Sequence, residues 1–349
     1  MIIKRTIALL IIIFIFLCQF TQIEAMQIEA MPDISAQAYI VIDAQSGRIL
    51  KSHDADIKLP IASTTKIMTA ILAIETIGNL NQRIGVPPEC SGIEGSSIYL
   101  RPNQTVSVID LLYGTMLRSG NDAASTLSKF AGRNDSEGFI SMMNKKAKEL
   151  GAFNTNFENA NGLHDDNHYS TAYDLALISS YAMKNDTFKK IAAAEKYKAE
   201  SINNIFYNKN KVVYQYKYGT GIKIGFTKAA GRCLVASAKK DGTEIIAVLL
   251  NDNNWFNDSY QTFDWAFENY KCYSIVEKRQ FVKYTDERNP VFIGDSFRCV
   301  LTNKEIKQLR FEALIKPELM SNDSDTKTCG LYNIYLGKIK LHTGTLITE

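Results

Sequence analysis

The sequence predicts an α+β protein: a five-stranded antiparallel sheet flanked by helices, followed by a small all-β domain. Three observations predict it. The chain has 349 residues, more than the roughly 100–200 of one domain, so two domains are expected. Up to about residue 270, dense helical runs lie between strand-like alternations. From Lys271 onward only short alternating runs and turn residues remain. Hydrophobic residues make up 46% and charged residues 22%, which excludes a disordered or fibrous chain. Forty basic against 37 acidic residues give a net charge of +3, without the basic excess that nucleic acid demands.

Residues 1–25 carry Lys4 and Arg5, then twelve consecutive apolar residues from Ile7 to Cys18, then polar residues with small Ala25 and Ala30. That is the layout of a secretory signal peptide, with cleavage after residue 25 or as late as residue 30. A spanning helix needs about 20 apolar residues. A retained anchor is therefore the alternative, and the only route to membrane association. No small residues precede Cys18, which argues against lipid attachment there.

The mature chain opens with a hairpin. Ala38 to Asp43 alternates like a half-buried strand, Gln45-Ser46-Gly47 turns, and Arg48 to Lys51 returns. Ser63 to Ile77 is dense in apolar residues and free of Gly and Pro, as a helix buried on most sides would be. Further helices are expected over Val106 to Leu117 and Asp122 to Phe130, broken at Ser119-Gly120-Asn121. Two more follow at Ser136 to Leu150 and Thr171 to Lys184, the last capped by Ser170 or Thr171. Strand-like runs at Gly221 to Thr227, Arg232 to Ala238 and Glu244 to Asn251 complete the sheet, joined by two glycine-containing turns. A helix near Ser259 to Tyr270 ends the first domain, residues 32–270. In residues 271–349, runs at Phe281 to Tyr284, Phe297 to Leu301, Leu309 to Leu314 and Leu331 to Lys340 read as a small β-sandwich-like domain.

Beyond Cys18 the cysteines are Cys90, Cys233, Cys272, Cys299 and Cys329. An odd number cannot all pair within one chain. Cys299 with Cys329 is the pairing to look for; buried free thiols are the plainer reading. There is no C-x-x-C, and no metal site is expected.

Three short boxes carry chemistry. In Ser63-Thr64-Thr65-Lys66, positions i and i+3 share a helix face, so an amine stands one turn from a hydroxyl. Serine is a poor nucleophile until a partner takes its proton. A lysine can do so when burial and nearby cations lower its pKa. The ordinary alternative is a helix cap and a surface lysine. In Ser119-Gly120-Asn121, a hydroxyl and an amide two residues apart can face one cleft; the alternative is a helix–helix turn capped by Asn121. In Lys223-Ile224-Gly225, a lysine adds charge to an edge strand and a glycine admits close backbone approach. The alternative there is an edge strand guarded by its lysine.

The boxes occur in this order, 56 and 104 residues apart. With the flanking strings PIASTTKIMTA, LRSGNDAA, NANGLHDDNHYSTAYDLAL and GIKIGFTKAAGRCLVASA, they resemble the low-molecular-mass penicillin-binding proteins that are serine D-alanyl-D-alanine carboxypeptidases. The likeness runs from about residue 35 to 270, and more weakly through the β domain. It implies a β-lactamase/transpeptidase-like fold and no metal or organic cofactor. It implies that Ser63 attacks the peptide carbonyl between the terminal D-alanines of a peptidoglycan stem peptide, with Lys66 as general base. Ser119 and Lys223 relay the proton, Asn121 orients the substrate, and the N–H groups of Ser63 and Phe226 form an oxyanion hole beside Gly225. β-Lactam antibiotics would acylate the same serine, and the site would lie outside the cytoplasm. His168 is read as structural, because lysine already fills the role of base. Lys209 is open between an anion contact and a solvated surface lysine.

The chain departs from the family at Ile224, where Thr or Ser is usual. Losing a hydrogen bond to a substrate carboxylate, worth roughly 1.5–3 kcal/mol, implies a rate deficit of about 10- to 150-fold. A weakly active or non-catalytic binding homologue is therefore the alternative reading. A β-lactamase is a further one, opposed by the lack of an E-x-x-L-N string after Ser119. The run LYNIYLGKIKLHTGTLITE has strand periodicity, unlike the amphipathic membrane helix with which related enzymes often finish.

Overall fold

Ala38–Asp43 is a strand as expected, but it is buried on both faces and not half-buried, because it lies inside a sheet with both edges paired. This strand, β1, bonds antiparallel to β2 (Ile49–His53) on one side. On the other side it bonds to a strand near the end of the first region, Thr243–Leu250. The structure is a computed structural model that describes residues 30–284, 289–315 and 327–348. The expected signal segment, residues 1–25, lies outside the described residues.

A short 3-10 turn at Ala62–Thr65 leads into helix α1 (Lys66–Thr76). Every residue of α1 from Lys66 to Ala73 is buried, as its unbroken apolar content requires. Ile67, Met68, Ile71 and Leu72 are each at most 5% exposed, and each such side chain contributes about 1.5–3 kcal/mol. A two-stranded ribbon, β3 (Arg83–Gly85) and β4 (Thr105–Ser107), precedes α2 (Val108–Leu117). The helix expected from Val106 thus starts at Val108, where the Ser107 side chain accepts the Asp110 N–H as a cap. Helices α3 (Asn121–Ala131) and α4 (Ser136–Glu149) follow, then α5 (Ala172–Ala182), capped by Thr171. Helix α6 (Asp186–Ala192), a hairpin of β5 (Lys196–Ala199) with β6 (Asn204–Tyr207), and a single turn α7 (Val212–Gln215) come next; none of these four was expected.

The remaining strands are β7 (Gly219–Thr227), β8 (Gly231–Lys240) and β9, the Thr243–Leu250 partner of β1. The sheet order is β2-β1-β9-β8-β7, antiparallel throughout. The strand carrying Lys223 and Gly225 is therefore an outer one, as expected. Helix α8 (Trp255–Asn269) packs on β8 and β9.

Beyond it, β10 (Lys271–Val276) pairs with β13 (Phe297–Leu301). A second five-stranded sheet comprises β11 (Phe281–Tyr284), β12 (Pro290–Ile293), β14 (Leu309–Ile315), β15 (Lys327–Leu336) and β16 (Ile339–Thr348), in the order β11-β12-β16-β15-β14. The single run read from Leu331 to Lys340 is in fact a hairpin, turned at Gly337 with φ +58°. Cys299 and Cys329 are both fully buried in the apolar core of this region as free thiols, so the pairing considered from the sequence is not formed. Arg48, in the first hairpin, reaches this region: its guanidinium donates to the Val300 carbonyl and pairs with Glu305.

Candidate active site

Ser63 sits in the 3-10 turn ahead of α1, half-buried, and Lys66 opens the helix one turn later. The Lys66 Nζ is fully buried and donates to three oxygens: Ser63 Oγ at 2.9 Å, Asn121 Oδ1 at 2.7 Å and the Asn161 carbonyl. Three donors thus meet three acceptors. The Asn121 Nδ2 donates to the Glu94 carbonyl, so its Oδ1 is the atom that faces Lys66. Of the three partners, only the serine hydroxyl has a proton to give. When the amine is neutral, its lone pair therefore has one productive direction, toward Ser63.

The electrostatics favour that neutral form. Burial holds the Lys66 pKa well below the usual lysine value, and the like charges of Lys223 and Lys209 lower it further, against an opposing pull from Asp122. Lys223 is 1% exposed, and burial followed by Lys209 pushes it down to about 7. Its Nζ donates to its own neighbour's carbonyl, Ile224 O, at 2.9 Å.

Strand β7 is brought against the serine turn by Gly225. A Cβ on Gly225 would stand 2.9 Å from the Ser63 nitrogen and 3.1 Å from the Ile61 carbonyl oxygen, so glycine is required there by close backbone approach. Phe226 follows, 63% exposed. Ser119 lies between α2 and α3, 5% exposed, with φ +61°. Among the described residues its hydroxyl hydrogen-bonds to none of the other candidates.

Two supports were not singled out from the sequence. The first is the segment 94–100. The buried Asp122 carboxylate accepts the N–H groups of Ile98 and Leu100 at 3.1 and 3.0 Å and the Ser97 hydroxyl at 2.6 Å. The Asn121 N–H donates to Ser96 O at 2.7 Å. Lys209 joins this wall, donating to Ser96 Oγ at 3.2 Å. The second is Asn161. It acts through its backbone carbonyl, which no side-chain pattern reveals, although it lies within the family-like string NANGLHDDNHYSTAYDLAL.

That segment also braces the serine turn from behind. His168 Nδ1 accepts the Glu158 N–H at 3.0 Å, so its Nε2 carries the proton and donates to Thr65 Oγ1 at 2.7 Å. Thr65 passes its own proton to Ala62 O at 2.8 Å. Burial pushes His168 down to about 4, leaving a neutral strut. Thr69 Oγ1 donates to Ala160 O at 2.6 Å. Among the described residues no group of three or more His, Cys, Asp and Glu is placed to hold a metal ion.

The peptidase S11 family, described as D-alanyl-D-alanine carboxypeptidase, matches residues 25–254. The chain is 32% identical over 257 residues to the D-alanyl-D-alanine carboxypeptidase DacF of Bacillus subtilis, covering 71% of this chain and 66% of that one. It is 34% identical over 283 residues to DacC of Escherichia coli, covering 76% and 69%. The chain thus spans about two thirds of the length of these relatives. Among solved structures it resembles penicillin binding protein 5 from Haemophilus influenzae, with a TM-score of 0.79, 24% identity, and coverage of 91% of this chain and 98% of that one. Identity at that level speaks to the fold alone.

Proposed function

The chain belongs to the D-alanyl-D-alanine carboxypeptidase family, and from that premise we propose that it removes the terminal D-alanine from peptidoglycan stem peptides through an acyl-enzyme on Ser63. The observation that carries this reading is the contact of the buried, pKa-lowered Lys66 amine with the Ser63 hydroxyl at 2.9 Å.

Lys66 takes the Ser63 proton as Oγ bonds to the carbonyl carbon between the two D-alanines. The oxygen that gains charge is met by the N–H groups of Ser63 and Phe226; the Ser63 nitrogen lies against Gly225, the residue before Phe226. The Asn121 amide orients the substrate amide. Lys223, in its charged form, attracts the substrate carboxylate, and with Ser119 it relays the proton to the departing amine. The C–N bond breaks and D-alanine leaves. Water then cleaves the Ser63 ester. A β-lactam acylates the same oxygen. No step calls on a metal or organic cofactor.

Residues 32–270 form the peptidase domain and residues 271–349 a small β domain. Residues 1–25 export the chain, so the reaction takes place outside the cytoplasm. Ile224 slows turnover without removing the acylating groups, which favours a slow enzyme over a non-catalytic binder.

Fluorescent penicillin tests this reading together with D-alanine release from a peptide ending in D-Ala-D-Ala. Stable labelling and release are expected, both lost in Ser63→Ala. Unlabelled wild-type protein would sink the reading, and rapid loss of label would point to a β-lactamase.

A further inference from the structure

The far end of the first sheet carries a second charged cavity. It measures about 230 Å³ and is lined by the β1–β2 turn, the end of α5, helix α6 and the β8–β9 turn. Along β8, Lys239 is six residues from Cys233, the partner of Gly225. At about 3.3 Å per residue, that places this cavity about 20 Å from the serine turn.

Lys184, Lys189 and Lys239 line it, from three different elements, and among the described residues none of the three is in an ion pair. The acidic residue in the wall is Glu244, whose carboxyl burial raises, against the lowering pull of Lys189 and Lys239. Three lysines against one carboxyl leave the lining with a net positive charge, which attracts an anion. One lining atom that can donate to an anion is also unsatisfied: Ser180 Oγ is buried with no hydrogen-bond partner; Glu244 Oε1, likewise unpartnered, is an acceptor and is left to a water or a lysine. Orphaned buried polar atoms are uncommon in folded proteins and mark places where a water or an ion completes the network. Gly242, with φ +81°, has open space where a Cβ would be.

We propose that this cavity is a binding site for a phosphate group, held by Lys184, Lys189 and Lys239 and separate from the Ser63 site. A tetrahedral oxyanion presents acceptors in several directions at once, which suits ammonium donors converging from three elements. The Ser180 hydroxyl supplies a further donor once the side chain turns to the ligand. The phosphate can come from a soluble monoester or from the headgroup of an anionic lipid; both share the chemistry the cavity recognises.

Titration calorimetry on the mature chain tests this, at constant ionic strength set with sodium chloride. The probes are inorganic phosphate, glycerol 3-phosphate, and vesicles of phosphatidylglycerol with phosphatidylcholine vesicles as reference. Saturable binding of the two soluble phosphates is expected. The Lys189→Gln/Lys239→Gln double variant should weaken it about tenfold or more, whereas Lys145→Gln, on the exposed face of α4, should not. Ser180→Ala, which leaves the charges in place, should weaken it to a smaller degree. Binding of vesicles as well identifies the lipid source; binding of the soluble phosphates alone identifies a free monoester. Penicillin labelling of every variant at the wild-type rate shows that the fold and the Ser63 site are intact. No saturable binding to any probe, or binding unchanged in the double variant, overturns the proposal.

Discussion

Gly225 and Ser63 meet backbone to backbone, with room for a hydrogen but not for a methyl group between them. Alanine at 225 must push β7 away from the serine turn, at an overpacking cost of about 1–3 kcal/mol. That shift would move Phe226, the next residue on β7, away from Ser63, and so disrupt the oxyanion hole proposed above. Gly225→Ala is expected to lower the penicillin labelling rate at least about tenfold while the protein remains folded by circular dichroism. An alanine variant that labels at the wild-type rate would show that this contact does not set the geometry.

The labelling rate should depend on pH through two lysines. Lys66 must lose its proton to act as a base, so the rate rises with pH through its lowered pKa. Lys223 must keep its proton to attract a carboxylate, so in the free enzyme the rate falls again above about 7. Lys209 lowers both groups. Removing a positive neighbour raises an ammonium pKa, so Lys209→Ala should move both limbs of the profile to higher pH. Rates of acylation by one penicillin across the pH range, in wild type and variant, check this; an unmoved profile counts against it.

Restoring the family hydroxyl tests the departure at position 224. Ile224→Thr should raise kcat/KM for D-alanine release by about tenfold or more. A rate that does not change would mean that the missing hydroxyl is not what limits turnover.

His168 links stability to acid. Its folded pKa of about 4 lies below the ordinary 6.5, so between these values the unfolded chain binds the extra proton. Its contribution is complete above pH 6.5 and is lost as pH falls toward 4, a change of up to about 3 kcal/mol. The urea midpoint of the wild type should drop over that interval more steeply than that of His168→Gln. Parallel curves would refute the assignment.

Much of the fold could be read in advance because its signals are local. The short strand-like runs at Ala38–Asp43 and around Lys223 locate the first sheet, although its inner strands are buried on both faces, and Thr171 caps α5 as its residue type suggests. What escaped depends on tertiary context. The pair β5 and β6 is four residues per strand, too short for a period to register. Strand β10 follows α8 with no Gly or Pro between them, so nothing local marks where the helix ends. At the candidate site, Ser63, Lys66 and Asn121 are legible in the sequence because it is their side chains that make contact there. Asp122 was missed because its partners are backbone N–H groups of residues 98 and 100. Lys209 is ambiguous in the sequence because its contact, Ser96, lies 113 positions away.

Two residues beside the reacting groups, Ala62 and Ser119, hold left-handed backbone, at φ +47° and +61°. For a residue with a Cβ, that conformation costs about 1–2 kcal/mol. At position 62 a glycine would relieve it and leave every side-chain function in place. At position 119 the same relief deletes a hydroxyl. Adapting this enzyme to heat and preserving its turnover are therefore compatible goals at one of these positions and opposed goals at the other.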